Sequence, residues 1–106
     1  MAQVKWSEQA LKDVEEIGLY IEKVSFRYAK EQVEAIFEKA KQLENHPLSG
    51  RPVPELKSTT IRQLLCGNHR IIYEVETEEN PVILTVHHQS RLLKNNPAFA
   101  DKPPEP

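Results

Sequence analysis

The chain has 106 residues, 39% of them apolar and 28% charged, with a formal net charge of -2. That length supports one core and one domain, and the charge balance excludes a protein that grips nucleic acid over a broad basic surface. No apolar run is long enough to cross a bilayer, the N-terminal MAQVKWSEQ lacks the order of a signal peptide, and a single cysteine, Cys66, excludes an internal disulfide. A cytoplasmic protein with no membrane partner is expected.

Val4 and Trp6 flank Lys5 as a brief first strand, with Ser7 behind it as a helix N-cap. Ala10, Val14, Ile17, Ile21 and Val24 then recur at helical spacing, and Ala29, Val33, Ile36, Ala40 and Leu43 repeat those steps. Ser25 lies between the runs and can cap the second, while Pro47 ends it. Tyr20, Phe26, Tyr28 and Phe37 lie in these segments and read as core or hairpin packing rather than as a base-stacking platform. PLSGRPVPELKST, with its prolines and glycine, reads as an irregular connection. Strands are predicted at Ile61 to Leu65, His69 to Thr77 and Val82 to His88, with turns at Gly67-Asn68 and Asn80-Pro81.

The predicted fold is α+β: a short N-terminal strand, then an antiparallel helical hairpin packed on a mainly antiparallel sheet, in the order β-α-α-β-β-β. Residues 1–94 form the domain. Residues 95–106 are polar and proline-rich, and are expected to be disordered.

Strand alternation assigns Ile71, Tyr73 and Val75 to the helix side of the sheet and Arg70, Ile72, Glu74, Ile83, Thr85 and His87 to the other. A face that mixes branched apolar residues with Arg and His reads as a groove covered by a partner. Bases predominate around it, with Arg51, Lys57, Arg62 and Arg70 against Glu55, and Arg91 and Lys94 following His87 and His88.

Arg62, Arg70, His87, His88 and Arg91 have the chemistry for metal-free cleavage of RNA: guanidinium groups neutralise the phosphorane, a histidine moves a proton, and the RNA supplies its own 2′-hydroxyl. The plainer reading makes these arginines structural or partner-binding, with Arg70 paired to Glu74 and Glu55 paired to Arg51 or Lys57. His87 and His88 point to opposite faces, so no metal site is expected, and no cofactor motif is present.

VKWSEQA, a helical hairpin, HPLSGRPVPEL, IRQLL, GNHRIIYEV and ILTVHHQSR, in that order from about Val4 to Leu93, resemble the RelE/ParE superfamily of bacterial toxins. The resemblance implies a toxin neutralised by a cognate antitoxin in a hetero-oligomer. Arg62, Arg70, Ile72, Glu74, Ile83, Thr85 and His87 are its expected antitoxin- or target-binding surface. RelE-like members cut messenger RNA on the ribosome, and ParE-like members poison DNA gyrase. In the nucleases the arginine opening the strand similar to HRIIY contacts the scissile phosphate, which corresponds to Arg70, with Arg62 upstream and His87 or His88 beside Arg91 in the remaining role. GRPVPEL and GNHRIIYEV look closer to the ParE-like branch, so gyrase is the expected target. The alternatives are a metal-independent endoribonuclease and a degenerate antitoxin-binding domain.

Overall fold

Ser7 joins the first strand to the first helix and is hydrogen-bonded to the helix and to the sheet. Its Oγ accepts the Ala10 N–H at 3.0 Å as an N-cap and donates to the Leu84 carbonyl at 3.0 Å, tying the helix start to the sheet. The computed structural model describes residues 2–76 and 80–99. In chain order these form β1 (Lys5–Trp6), α1 (Glu8–Glu22), α2 (Phe26–Ala40), β2 (Arg51–Pro52), β3 (Ile61–Cys66), β4 (His69–Glu74) and β5 (Val82–His88). A 3₁₀ turn at Lys41–Glu44 extends α2, and another at Leu93–Asn95 follows β5.

The five strands lie in the order β1-β5-β4-β3-β2, with β1 parallel to β5 and every other pair antiparallel. Two helices on a mixed, mainly antiparallel sheet agree with the predicted α+β fold. The short strand β2 is an addition to the expected order. Its two residues sit opposite Gln63 and Arg62 at the sheet edge, where a proline costs no ladder bond and leaves no periodic signal.

The apolar stripes of both helices meet one face of the sheet. Ala10, Val14, Ile36, Ala40 and Leu43 pack with Leu64, Ile71, Tyr73, Val75, Ile83 and Val86 in a single cluster. Val24, expected to continue the α1 stripe, stands beyond the end of the helix and is exposed.

The register between β4 and β5 corrects the predicted faces. Ile72 lies opposite Thr85 but Tyr73 lies opposite Ile83, so Leu84 is an extra residue, a β-bulge. The bulge reverses the alternation for the start of β5. Ile83 therefore turns into the helix-side core, while Thr85 and His87 keep the face that carries Arg70 and Ile72.

That second face is not an open groove. Val53, Ile72 and Leu93 form their own buried cluster, with Leu56, Ile61 and Phe99 packed against it. The proline-rich connection and the segment after β5 thus cover the sheet from the side opposite the helices. Ile72 and Ile83, expected to await a partner, are both fully buried by the chain itself. Packing also continues past Lys94: Asn96 is buried and Phe99 reaches Ile72's cluster, so residues 95–99 belong to the folded unit. The rest of the expected tail, and the end of the expected strand at Thr77, lie outside the described residues.

Candidate functional site

Arg70 is the buried charge of the face opposite the helices. Strand pairing puts it between Leu65 of β3 and His87 of β5, and the residue is only 8% exposed. A buried guanidinium requires partners, and three of its nitrogens have them. Nε donates to Gln63 Oε1 at 2.7 Å, Nη1 to Glu55 Oε2 at 2.8 Å and Nη2 to Glu55 Oε1 at 2.7 Å. This two-point pairing is the strong form of an arginine–carboxylate contact. It holds the Glu55 carboxyl below its ordinary value, chiefly through the Arg70 hydrogen bonds and against the opposing effect of burial.

The partner expected for Arg70 is therefore replaced. Glu74 accepts from Thr60 Oγ1 at 3.1 Å instead, and Glu55 folds back from the connection onto the sheet rather than pairing with Arg51 or Lys57. Glu55 stays half-exposed, so the pair is reachable from solvent on the carboxylate side alone.

His87 lies beside Arg70 but is committed to a network. Ala98 N–H donates to Asn96 Oδ1 at 2.8 Å, which orients the amide and makes Asn96 Nδ2 the donor to its other neighbours. Nδ2 reaches Thr85 Oγ1 at 3.0 Å and His87 Nδ1 at 2.8 Å. His87 Nδ1 must then accept, leaving Nε2–H to donate to the Arg91 carbonyl at 2.9 Å. The Thr85 hydroxyl donates to the Asp13 carboxylate, which also accepts from the Val86 N–H at 3.0 Å. The chain of bonds runs from α1 through β5 to the segment after it. Both ring nitrogens of His87 are occupied, and neither is aimed at a ligand.

The other candidates fall elsewhere. Arg62 is paired with Tyr73 across β3 and β4 and so lies on the helix side. Its Nη1 donates to the Gly50 carbonyl at 2.9 Å and the Leu48 carbonyl at 3.3 Å, bracing the connection, and its Nε is buried without a partner. His88 is also on the helix side, edge-on to His69 with ring centroids 5.1 Å apart, and its Nδ1 accepts from Ser90 Oγ at 2.8 Å. Arg91 is exposed, and its carbonyl rather than its guanidinium meets His87. The four strand residues with nuclease chemistry are thus divided between two faces, and Arg91 lies beyond the sheet. Arg70, Ile72, Glu74, Thr85 and His87 share one, and Arg62, Ile83 and His88 the other. Among the described residues, no group of three His, Cys, Asp or Glu could hold a metal ion, and no helix is long and apolar enough to cross a membrane.

Two features escaped the sequence reading. Asp13 and Asn96, which complete the His87 network, stand in a helix and in an apparent tail with no local signal linking them. Tyr20, Phe26 and Tyr28, read as packing residues, are exposed at the turn between α1 and α2. All three fall outside the apolar steps of their helices, a signal that was present in the sequence.

The model of the ParE toxin of the type II toxin–antitoxin system parDE matches residues 4–93, and the chain belongs to that family. No curated protein matches the chain. Among solved structures, the chromosomal ParDE toxin–antitoxin system of P. aeruginosa is similar with a TM-score of 0.68 at 23% identity, over 83% of this chain and 96% of that one. The toxin–antitoxin complex RelBE2 of Mycobacterium tuberculosis follows with a TM-score of 0.59 at 23% identity, over 82% of this chain and 96% of that one. The YoeB dimer of Staphylococcus aureus has a TM-score of 0.57 at 20% identity, over 82% and 95% respectively. At these identities the likeness is one of fold.

Proposed function

We propose that this toxin acts in the cytoplasm by binding DNA gyrase, and that a cognate antitoxin neutralises it in a hetero-oligomer. Membership of the ParE family supports the target, and the solved relatives described as toxin–antitoxin systems support the partner. The observation that carries the choice of binding over RNA cleavage is the closure of Arg70. Its guanidinium is engaged by Glu55 and Gln63, so a phosphate would have to displace a two-point carboxylate to reach it. Neither histidine expected to move a proton is free to do so beside Arg70, because His87 has both nitrogens in the internal network and His88 lies on the opposite face.

Regulated expression tests the reading. The toxin alone should arrest growth and leave gyrase-linked breaks in the chromosome, and co-expression of the adjacent antitoxin gene should abolish both. Arrest accompanied by codon-dependent messenger cuts would instead favour a ribosome-dependent, metal-independent endoribonuclease. No arrest at all would favour a degenerate domain that only binds antitoxin.

A further inference from the structure

The segment after β5 closes over the sheet through one histidine that has to be neutral. Thr85, His87 and Asn96 are 0%, 5% and 6% exposed, and the hydrogens around them are fixed by partners that act in one sense only. The Arg91 carbonyl accepts, so His87 Nε2 carries a hydrogen toward it at 2.9 Å. The Ala98 N–H donates to Asn96 Oδ1 at 2.8 Å, which turns Asn96 Nδ2 toward Thr85 Oγ1 at 3.0 Å and His87 Nδ1 at 2.8 Å. A single lone pair, on His87 Nδ1, completes the chain of bonds. A proton on that nitrogen sets N–H against N–H. Flipping the Asn96 amide gives no relief, because Nδ2 then meets the Ala98 N–H and Oδ1 meets the Thr85 oxygen, whose own hydrogen goes to Asp13.

The charges around the ring do not compensate such a proton. Arg70 lies directly across from His87 on β4, and the segment itself brings Arg91 and Lys94. The facing carboxylates are already engaged: Glu55 from the connection makes two bonds to Arg70, and Asp13 from α1 accepts from Thr85 and from the Val86 N–H. His69 of β4 and His88 of β5 lie on the helix side; burial first, then charge on His88 and on His87, lowers the His69 pKa, so the three rings disfavour being charged together. Outside the network the segment is held by Leu93 and Phe99 packed with Ile72, and by short turn bonds from the Asn95, Asn96 and Phe99 N–H groups to the Leu92, Leu93 and Asn96 carbonyls. A segment with so few ties can open locally while the helices and the sheet stay folded.

We propose that His87 is a proton-operated latch: neutral, it holds residues 91–99 against the sheet through Asn96, and protonated, it releases them and uncovers the face that carries Ile72 and Thr85. Histidine is the side chain that changes charge between about pH 5 and 8. Closure and protonation exclude each other, so the opening constant should rise as pH falls, by up to about tenfold per pH unit, the slope of one proton. Closure is complete at the alkaline end of that range and is lost toward the acid end. The inference goes beyond the gyrase reading and does not depend on which protein is the toxin's target.

Amide exchange on the full-length protein tests it, read as protection factors at Ala98 and Phe99 from about pH 8 to about pH 5, with the ring nitrogen shifts of His87 recorded alongside. The neutral ring should carry its hydrogen on Nε2. Protection at Ala98 and Phe99 should fall at least tenfold as His87 titrates, and amides of α2 should change less. In His87→Asn, whose amide oxygen can still accept from Asn96 but takes up no proton, protection should not depend on pH in this range. In Asn96→Asp the sign should reverse, because a carboxylate accepts from a protonated Nδ1 and repels a neutral one. Circular dichroism checks that both variants fold. The proposal is overturned by a neutral ring with its hydrogen on Nδ1, by wild-type protection that stays flat across the range, by a loss that persists in His87→Asn, or by Asn96→Asp opening in the same sense as the wild type. A loss shared equally by α2 and abolished by His69→Phe would assign the effect to His69 and overturn it equally.

Discussion

Glu55 and Arg70, fifteen residues apart in the chain, close on each other with two parallel hydrogen bonds of 2.7 and 2.8 Å. One comes from a proline-rich connection and the other from the middle strand of the sheet, so the pair fastens the connection over the Val53 and Ile72 cluster. Replacing the carboxylate by an amide leaves the buried guanidinium with Gln63 and one uncharged oxygen as acceptors. Glu55→Gln should cost about 1–3 kcal/mol of stability at neutral pH, at the lower end because the carboxylate is half-exposed. The folded pKa of Glu55 lies below its ordinary 4.5, so the contribution of its charge is present above that value and is lost as pH falls through the lower folded value. Urea titrations of the two proteins should therefore differ at pH 7 and converge in the acid range; a constant gap would contradict the assignment.

His69 gives a pH dependence in a different window. It is buried on the helix side with Nδ1 unpartnered, and burial, reinforced by the neighbouring His88 and His87, lowers its pKa from 6.5. The unfolded chain therefore takes up a proton at a higher pH than the folded one, so stability should decline as pH drops from 6.5 through the lower folded value. His69→Phe keeps an aromatic ring against His88 and should flatten that part of the stability profile. Denaturant midpoints collected across this range provide the check, and an unchanged slope in the variant would remove His69 as its source.

Gly50 marks where the connection meets the core. Its N–H donates to the buried Tyr73 hydroxyl at 2.9 Å, and a Cβ there would come within 2.6 Å of that oxygen and 2.7 Å of the Gln63 carbonyl. Gly50→Ala should destabilise by about 1–3 kcal/mol through overpacking. Tyr73→Phe should cost a similar amount, because the glycine N–H loses its acceptor. In a double-mutant cycle the two losses should be partly non-additive, since Tyr73→Phe removes the oxygen that the new methyl would strike but keeps the ring carbon Cε1, 2.7 Å from it. Full additivity in thermal melts would argue that the two residues do not meet.

The network from Asp13 to Arg91 holds the segment after β5 in place. Asn96→Ala removes the donor to Thr85 and His87 and the acceptor for Ala98 N–H. Faster hydrogen exchange should appear at Ala98 and Phe99, together with a loss of about 1–3 kcal/mol. Amides of α2 should exchange at rates set by that global loss alone. Unaltered protection at residues 96–99 would show that the network is not what fastens the segment.

The periodic parts of this fold were readable because each helix and strand repeats its apolar residues at its own spacing. Ala10 to Ile17 and Val33 to Leu43 pack as their steps require, and β3, β4 and β5 start where the turn residues place them. What could not be read depends on single residues. The bulge at Leu84 comes without a glycine or proline, yet it moves Ile83 from one face to the other. Val53, Leu56, Leu93 and Phe99 are isolated apolar residues in irregular segments, so nothing periodic announces that they cover Ile72. The candidate site suffered most from this. Alternation put Arg70 and His87 on one face, and the register pairs them across β4 and β5, but the partners that determine what they can do, Glu55, Asn96 and Asp13, are supplied by distant segments.

A side-by-side assay of the purified toxin separates gyrase poisoning from messenger cleavage. One reaction contains gyrase, ATP and supercoiled plasmid; the other contains translating ribosomes on a defined messenger. Cleaved plasmid should accumulate with gyrase covalently attached, and the messenger should stay intact. Messenger cleavage at the ribosome, abolished by a folded Arg70→Ala variant and accompanied by no trapped gyrase complex, would contradict the gyrase reading.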